Sequence, residues 1–303
     1  MNQTYIQHRF LSKLYLIALL WVWAGCTEEN LDDCEKIPGI RAVTSAPAGA
    51  DPVNPSDIEA LVFYVFDQDE LFLGTISAAL NETVLLDFPQ ARRFFVVGLA
   101  NVSNAYESVT VFDSGDPGSK GAITLKHLRE YLSSPIYDAP SDIFWGEIKF
   151  ANDRKAGSVT ILSITRVVSS VNIKIRGIKE YLQVDDEDFK VVLSTAYNGL
   201  NFHGQPMGAT TGYMPAGSFV SQTPSQYNVP NFRIISQAQG SPVVLKIYHK
   251  DVLMDTIGAD SNGNPFMTYN GKLLEIQISY TAYLSITVQI HSEWDKESYW
   301  KEL

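Results

Sequence analysis

Short runs of β-branched and aromatic residues, separated by turn-forming residues, recur along most of the chain. The clearest run is residues 58–66 (IEALVFYVF), which is followed by the turn sequence Asp67-Gln68-Asp69-Glu70 and a hairpin partner at residues 71–76. Runs of this length and composition predict strands rather than helices. Further strands are predicted at residues 84–88, 94–99, 143–150, 158–164, 167–175, 189–194, 243–249, 253–257, 273–279 and 283–290.

One segment departs from the strand pattern. Leu125, Leu128 and Leu132 recur at helical spacing behind Thr124, whose hydroxyl could cap the first turn. This spacing predicts a helix over residues 124–132.

The predicted strands fall into two sets, and many short strands with turns between them favour β-sandwiches. The second set begins just after Arg166, so we predict an N-terminal β-sandwich at residues 57–165 and a C-terminal one at 166–303. Two domains are also what a chain of 303 residues leads us to expect. Residues 198–231 are rich in Gly, Pro, Ser and Asn and predict a long loop system in the second domain.

Residues 1–25 have the architecture of a signal peptide. Basic residues precede an apolar run at residues 14–23, and the small residues Ala24 and Gly25 stand before Cys26. The apolar run is too short for a comfortable membrane span of ~20 residues. The segment resembles a bacterial lipoprotein signal, which implies cleavage before Cys26 and lipidation of Cys26. An uncleaved anchor or an ordinary secretory signal is the alternative.

Residues 26–56 are predicted to be a lipidated N-terminus followed by a spacer. Prolines among Ala, Gly and Ser disfavour helix and keep this chain extended. They are Pro38, Pro47, Pro52 and Pro55.

Acidic residues follow Cys26 closely and resemble the signal that sends lipoproteins of the Bacteroidetes to the outer face of the outer membrane. They are Glu28, Glu29, Asp32 and Asp33. The alternative is a solvated acidic start with no sorting role.

The chain has two cysteines, so a lipid on Cys26 leaves Cys34 without a disulfide partner, whereas an unlipidated Cys26 could pair with it.

The charge balance argues against a nucleic-acid partner. The chain has 23 Lys and Arg against 34 Asp and Glu, a net charge of −11. A phosphate backbone calls for clustered cations, which this composition does not favour.

Side chains that could support catalysis or metal binding are scattered. Four histidines lie beyond the signal peptide, and none has a ligand or catalytic spacing: His127, His203, His249 and His291. Acidic residues 185–188 could hold calcium, and so could the oxygen-bearing residues of 260–264. In the second segment, Pro265 stands where a calcium loop needs Gly. Turns on the protein surface explain both segments better. We predict no enzyme, no metal site and no cofactor.

Three motifs occur in a characteristic order behind Cys26. They are Val65-Phe66-Asp67, then Asp142-Ile143-Phe144-Trp145-Gly146, then residues 166–175 (RVVSSVNIKI). In this order and spacing the chain resembles the FimB/Mfa2 family of fimbrial anchor lipoproteins of the Bacteroidetes. The resemblance implies an all-β fold of two tandem transthyretin-like β-sandwiches and a non-catalytic role at the outer membrane. It also implies partners: fimbrial subunits, bound by strand exchange.

Two modification sites follow from related resemblances. Fimbrillins of the related stalk class are cleaved after an arginine near the N-terminus, and Arg41 is the candidate here. Asp255-Thr256-Ile257 resembles the three-residue O-glycosylation signal of exported Bacteroidetes proteins, so Thr256 is a candidate for a glycan. An unmodified strand residue is the alternative for Thr256.

Two other functions remain open at this point. The protein could be a stalk or tip subunit of the same fimbriae, or a surface carbohydrate-binding lipoprotein that uses Trp145, Trp294 and Trp300. A stalk subunit needs a C-terminal donor strand with alternating apolar residues. Residues 291–303 lack this alternation, which favours a subunit that terminates a polymer.

Overall fold

The computed structural model describes residues 35–292, apart from residues 48, 51, 104, 133, 196, 209–210, 221–223 and 281–283. Strands are the dominant secondary structure of the described chain, and its one α-helix is a single short turn. The predicted all-β class is therefore confirmed. Cys26, Cys34, Trp294 and Trp300 lie outside the described residues.

The strands are β1 Gly39–Thr44, β2 Leu61–Phe66, β3 Phe72–Ala78, β4 Thr83–Leu85, β5 Arg93–Ala100, β6 Glu107–Val109, β7 Ala122–Leu125, β8 His127–Tyr131, β9 Ser134–Tyr137, β10 Phe144–Ala151, β11 Val159–Arg166 and β12 Val168–Arg176. They continue as β13 Phe189–Thr195, β14 Gly199–Asn201, β15 Pro206–Met207, β16 Thr211–Tyr213, β17 Ser218–Val220, β18 Gln226–Ile235, β19 Ser241–Pro242, β20 Val244–His249, β21 Val252–Ile257, β22 Met267–Thr268, β23 Leu273–Tyr280 and β24 Leu284–His291. Helix α1 is Ile178–Leu182, and short 3-10 turns occur at Pro55–Asp57 and Gly118–Lys120.

A seven-stranded sheet with the order β3-β2-β5-β10-β11-β1-β4 forms one half of the molecule. Alternating residues of β2 and β5 pack on its two faces, and Phe63 and Phe94 belong to a different core cluster from Phe66 and Phe95. Gly146 of β10 has no space for a side chain, because a Cβ there would lie 2.1 Å from the backbone oxygen of Ser163. This glycine lets β11 lie close against β10.

The other main sheets have the orders β17-β18-β12-β23-β24, β21-β20-β13-β16-β9-β8 and β15-β14-β7-β6. Two of them combine strands from both sides of residue 166. In the ladder between β7 and β14, Ile123 lies opposite Leu200, and between β9 and β16, Ile136 lies opposite Gly212. Residues 107–137 thus share sheets with the C-terminal half, and the division into tandem domains at residues 57–165 and 166–303 stays a prediction.

The predicted helix at residues 124–132 is wrong. The chain forms β7 and β8 instead, which pair with β14 and β9 respectively. Leu125 is buried, but Leu132 has a positive φ of 47° and is 53% exposed, so it does not continue an apolar face. Cross-strand pairing has overridden the local helical spacing.

Two further segments differ from their predictions. Residues 39–44 lie in the predicted spacer, yet they form β1, with Ile40 and Ala42 fully buried in the core. Residues 198–231 contain β14 to β17 and the start of β18 rather than a loop system alone. By contrast, every run predicted as a strand overlaps a strand of the structure.

Candidate functional site

Arg41 lies in the middle of β1, inside the seven-stranded sheet. It is opposite Ile161 of the parallel strand β11 and opposite Thr83 of the antiparallel strand β4. The next residue, Ala42, is fully buried. The Arg41–Ala42 peptide bond is thus inside a ladder that is paired on both sides, and a protease could reach it only if β1 left the sheet.

The chain before β1 is held against the loop that follows β10. Arg154 forms ion pairs with Glu35 at 3.1 Å and with Asp87 at 3.2 Å. The backbone N–H of Lys36 donates to the carbonyl oxygen of Arg154. This is where the described chain begins, on the side that leads back to Cys26.

Thr256 lies on β21, the outermost strand beside β20 in the six-stranded sheet, and its side chain is exposed. The neighbouring Asp255 carboxylate accepts a hydrogen bond of 2.7 Å from the Tyr280 hydroxyl. Burial, together with this bond to the Asp255 carboxylate, raises the pKa of Tyr280. The Asp255 carboxylate is therefore engaged within the fold, whereas the Thr256 side chain is exposed to solvent.

β21 also exposes apolar side chains at the edge of its sheet. Val252, Leu253 and Met254 are 62%, 49% and 40% exposed. Val252 and Leu253 lie opposite His249 and Tyr248 and point to opposite faces, so both faces of this edge are apolar. Met254 lies where the register of the ladder shifts. An exposed apolar edge of this kind is able to pair with a strand from another chain.

A cleft of about 1100 Å³ lies between loops of the N-terminal half and residues 213–216 and 230–233. Arg166 lines it, and its guanidinium bonds Asp57 at 2.8 Å and Asp142 at 2.8 Å. Arg166 is 5% exposed, and its guanidinium also lies over the ring of Phe144. This ion-pair triad joins the turn before β2 to the loop before β10.

Beside the cleft, a buried carboxyl group joins two loops. Glu107 is fully buried and accepts hydrogen bonds of 2.7 Å from the backbone N–H groups of Ser103 and Ser141. Burial raises the pKa of the Glu107 carboxyl, and these hydrogen bonds oppose the shift. Sequence analysis missed both Glu107 and the partners of Arg166, because a single acidic residue carries no signal of a contact made across the fold.

Trp145 ties the β14–β15 hairpin to β10. Its indole N–H donates to the carbonyl oxygen of Phe202 at 3.0 Å, and a Cβ on Gly204 would lie 2.8 Å from its ring. Phe202 in turn packs among aromatic rings of the first sheet, with its ring centroid 4.9 Å from that of Tyr64. Trp145 is thus half-buried in an internal contact rather than part of a flat open surface.

The other residues weighed for catalysis or metal binding lie far apart. His249 and His291 each face one carboxylate, Asp186 and Glu275 respectively. His203 lies between two carboxylates, Glu147 at 3.1 Å and Glu70 at 3.7 Å, and His127 lies in β8. Lys250 and His249 hold the pKa of Asp186 below its usual range. The Asp260 carboxylate accepts bonds from Asn262 and Asn264 in a turn. Across the described residues, no group of three or more His, Cys, Asp or Glu side chains is arranged to hold a metal ion.

Helices in the described part of the chain are too short or too polar to cross a membrane.

Residues 31–300 match the family described as fimbrillin-A-associated anchor proteins Mfa1 and Mfa2. The match extends over most of the chain, and the chain belongs to this family of fimbrial anchor proteins. It is 23% identical over 308 residues to the major fimbrium anchoring subunit FimB of Porphyromonas gingivalis W83, covering 95% of this chain and 96% of the relative.

Solved structures share the fold. The fimbrial anchor protein Mfa2 from Porphyromonas gingivalis has a TM-score of 0.61 at 11% identity, with 86% of this chain and 98% of that chain covered. A protein from Bacteroides thetaiotaomicron that is proposed to bind polysaccharides has a TM-score of 0.65 at 13% identity, with 85% and 98% covered. The matched family and the FimB relatives are described as anchor proteins rather than as enzymes.

Proposed function

We propose that this protein is a lipid-tethered anchor that holds fimbriae at the outer face of the outer membrane. Membership of the anchor family over residues 31–300 is the observation that carries the proposal. In this role a lipid on Cys26 provides the membrane attachment, and the folded chain from β1 onward contacts a fimbrial subunit. Several acyl chains, each contributing ~0.8 kcal/mol per buried CH₂, would make release from the membrane negligible.

We propose further that the fimbrial subunit adds a strand to the exposed edge of β21. Strand addition supplies a backbone hydrogen-bond ladder, and the apolar side chains of Val252, Leu253 and Met254 supply packing on both faces. Arg41 would remain uncut in this anchor, because β1 is paired on both sides. An uncut Arg41 keeps the folded chain joined to Cys26.

The membrane attachment is tested by Cys26→Ala in cells that make the fimbriae. We expect polymerised fimbriae to be shed into the medium with the variant protein bound to them, because the lipid alone ties this complex to the cell. Cys26→Ser is the control for folding, because serine also lacks the thiol that carries the lipid but is closer to cysteine in shape than alanine is. The same result with both variants would attribute the effect to loss of the lipid. Fimbriae that stay on the cell with either variant would refute the anchor role.

The same experiment distinguishes the remaining alternatives. Loss of polymerisation, rather than shedding, would indicate a stalk subunit. Unchanged fimbriae would leave the carbohydrate-binding role, but the internal packing of Trp145 gives that role little support among the described residues.

A further inference from the structure

Three strands of the seven-stranded sheet, β11, β1 and β4, have one buried and one open face. Leu162 and Ile40 pack in a core cluster on the buried face, so the alternate residues point the other way. The same side of the sheet is covered at β2, β5 and β10, where Phe66, Phe95 and Trp145 pack in the other cluster. The outward residues of the three strands, here called the β1 face, include Thr83, Leu85, Arg41, Val43, Val159 and Ile161.

The β1 face is apolar, although the solvated face of a sheet usually carries polar residues. Leu85, Val159 and Ile161 are 58%, 43% and 44% exposed. Strand register places Leu85 and Val159 on either side of Gly39, and Ile161 beside Arg41. A Cβ on Gly39 would lie 3.4 Å from a methyl group of Val159, so the flanking side chains close over the glycine. The apolar side chains therefore form one patch across the three strands.

Arg41 stands inside this patch without a charged partner. Its guanidinium forms no ion pair with any described residue, and its Nε is buried without a hydrogen-bond acceptor among them. Buried donors are seldom left in this state. A guanidinium binds phosphate through its forked N–H groups, and aliphatic side chains pack well against hydrocarbon. A cation set among exposed aliphatic side chains thus matches both chemical parts of a phospholipid surface.

We propose that the β1 face rests on the membrane surface, with the Arg41 guanidinium on a lipid phosphate and the apolar patch against the upper part of the acyl chains. The described chain begins at this end of the sheet, where the Gly39 N–H donates to the carbonyl oxygen of Ser158. The inference rests on the proposed function at one point, the lipid on Cys26. Cys26 stands nine positions before Glu35, and a linker of this length reaches only ~30 Å when extended.

Charges around the start of the chain are compatible with a lipid surface. Lys36 and Lys155 are exposed there and form no ion pair with a described residue, so they are available to anionic headgroups. The nearby carboxylates of Glu35 and Asp87 are both paired with Arg154. Their negative charge is thus partly compensated within the protein.

Vesicle binding tests the proposal without a lipid on the protein and without fimbriae. The mature chain carrying Cys26→Ser is mixed with vesicles of phosphatidylethanolamine and phosphatidylglycerol, and the bound fraction is measured by flotation. We expect this parent chain to bind, and Ile161→Ser or Arg41→Gln to lower the bound fraction several-fold. Val111→Ser, at a 90% exposed position outside the β1 face, should bind like the parent.

A parent chain that does not bind, or face variants that bind equally well, would overturn the proposal. Such a failure is distinguishable from failure of the anchor role, because neither the lipid on Cys26 nor a fimbrial subunit takes part in this experiment. Self-association without vesicles that Ile161→Ser abolishes would also overturn it, since the β1 face would then bind a second copy of the chain.

A second measurement does not require a variant that loses binding. Leu85→Trp places an indole in the patch at an exposed position, so the core is left untouched. Phospholipids brominated on their acyl chains should quench this added indole. They should not quench the indole added by Val111→Trp. Equal quenching of the two added indoles would overturn the proposal.

Discussion

Arg166 shows how one residue fixes the geometry of the cleft. Its guanidinium bonds two carboxylates that lie 109 and 24 positions away in the sequence, Asp57 and Asp142. Removing one member of a buried ion group leaves the other charges without compensation, which costs more than the intact group contributes.

We therefore expect Arg166→Met to lower the free energy of unfolding by ~3–5 kcal/mol, as measured by denaturant titration. Arg166→Lys should lower the free energy of unfolding by less, because it keeps the positive charge beside the two carboxylates. Some loss should remain, because lysine cannot make the forked contacts of a guanidinium. A loss below ~1 kcal/mol for Arg166→Met, the level of an exposed ion pair, would mean that the triad is effectively solvated.

At the level of single elements, β21 combines an open edge with apolar side chains on both faces. Leu253→Lys places a charge at this edge without entering the core, so we expect stability to change by no more than ~0.5 kcal/mol. Strand addition by a fimbrial subunit should be weakened, because a lysine at an edge opposes pairing.

The amount of fimbriae that co-purifies with outer membranes measures this effect. Val111→Lys is the matched control, because Val111 is 90% exposed and lies outside β21. Equal retention by Leu253→Lys, Val111→Lys and the unmodified protein would exclude β21 as the docking edge.

The elements also show what local sequence reveals. Strands such as β5 and β23 were predictable because their β-branched and aromatic runs are long and bounded by turns. β1 was not, since it is a short strand among prolines and its burial comes from β11 and β4, which lie far along the chain. The helix prediction for residues 124–132 was wrong for a related reason. Three leucines fit a helical period by their spacing, but pairing with β14 and β9 makes the segment two strands.

For the whole molecule, the family and the all-β class could be predicted from motif order and strand pattern. The interlocking of the two halves could not, because the sequence does not show that β7 and β9 pair with strands beyond residue 166. The open edge of β21 could not be predicted from the sequence either, because the exposure of a strand depends on which strand ends the sheet. Thr256 is a candidate only through its resemblance to a three-residue signal, and its glycan stays a prediction.

One measurement on the native protein addresses the three modification sites together. We expect the intact mass of protein purified from outer membranes to correspond to a chain beginning at a lipidated Cys26, uncut after Arg41, with a glycan on Thr256. Thr256→Val should lose the glycan mass alone. A chain beginning at Ala42 would contradict the proposed retention of β1, and a mass equal to polypeptide plus lipid would remove the glycan.

The parallel pairing of β1 with β11 has a mechanical consequence. If Cys26 carries a lipid as proposed, tension between a fimbria and that lipid would pull on β1 from its N-terminal end. The six residue pairs between β1 and β11 would then be loaded in shear, all at once, instead of being peeled apart one by one. The strand that connects the folded chain to its tether would thus yield only when a whole ladder breaks in a single event, so detachment under tension would be slow and abrupt rather than gradual.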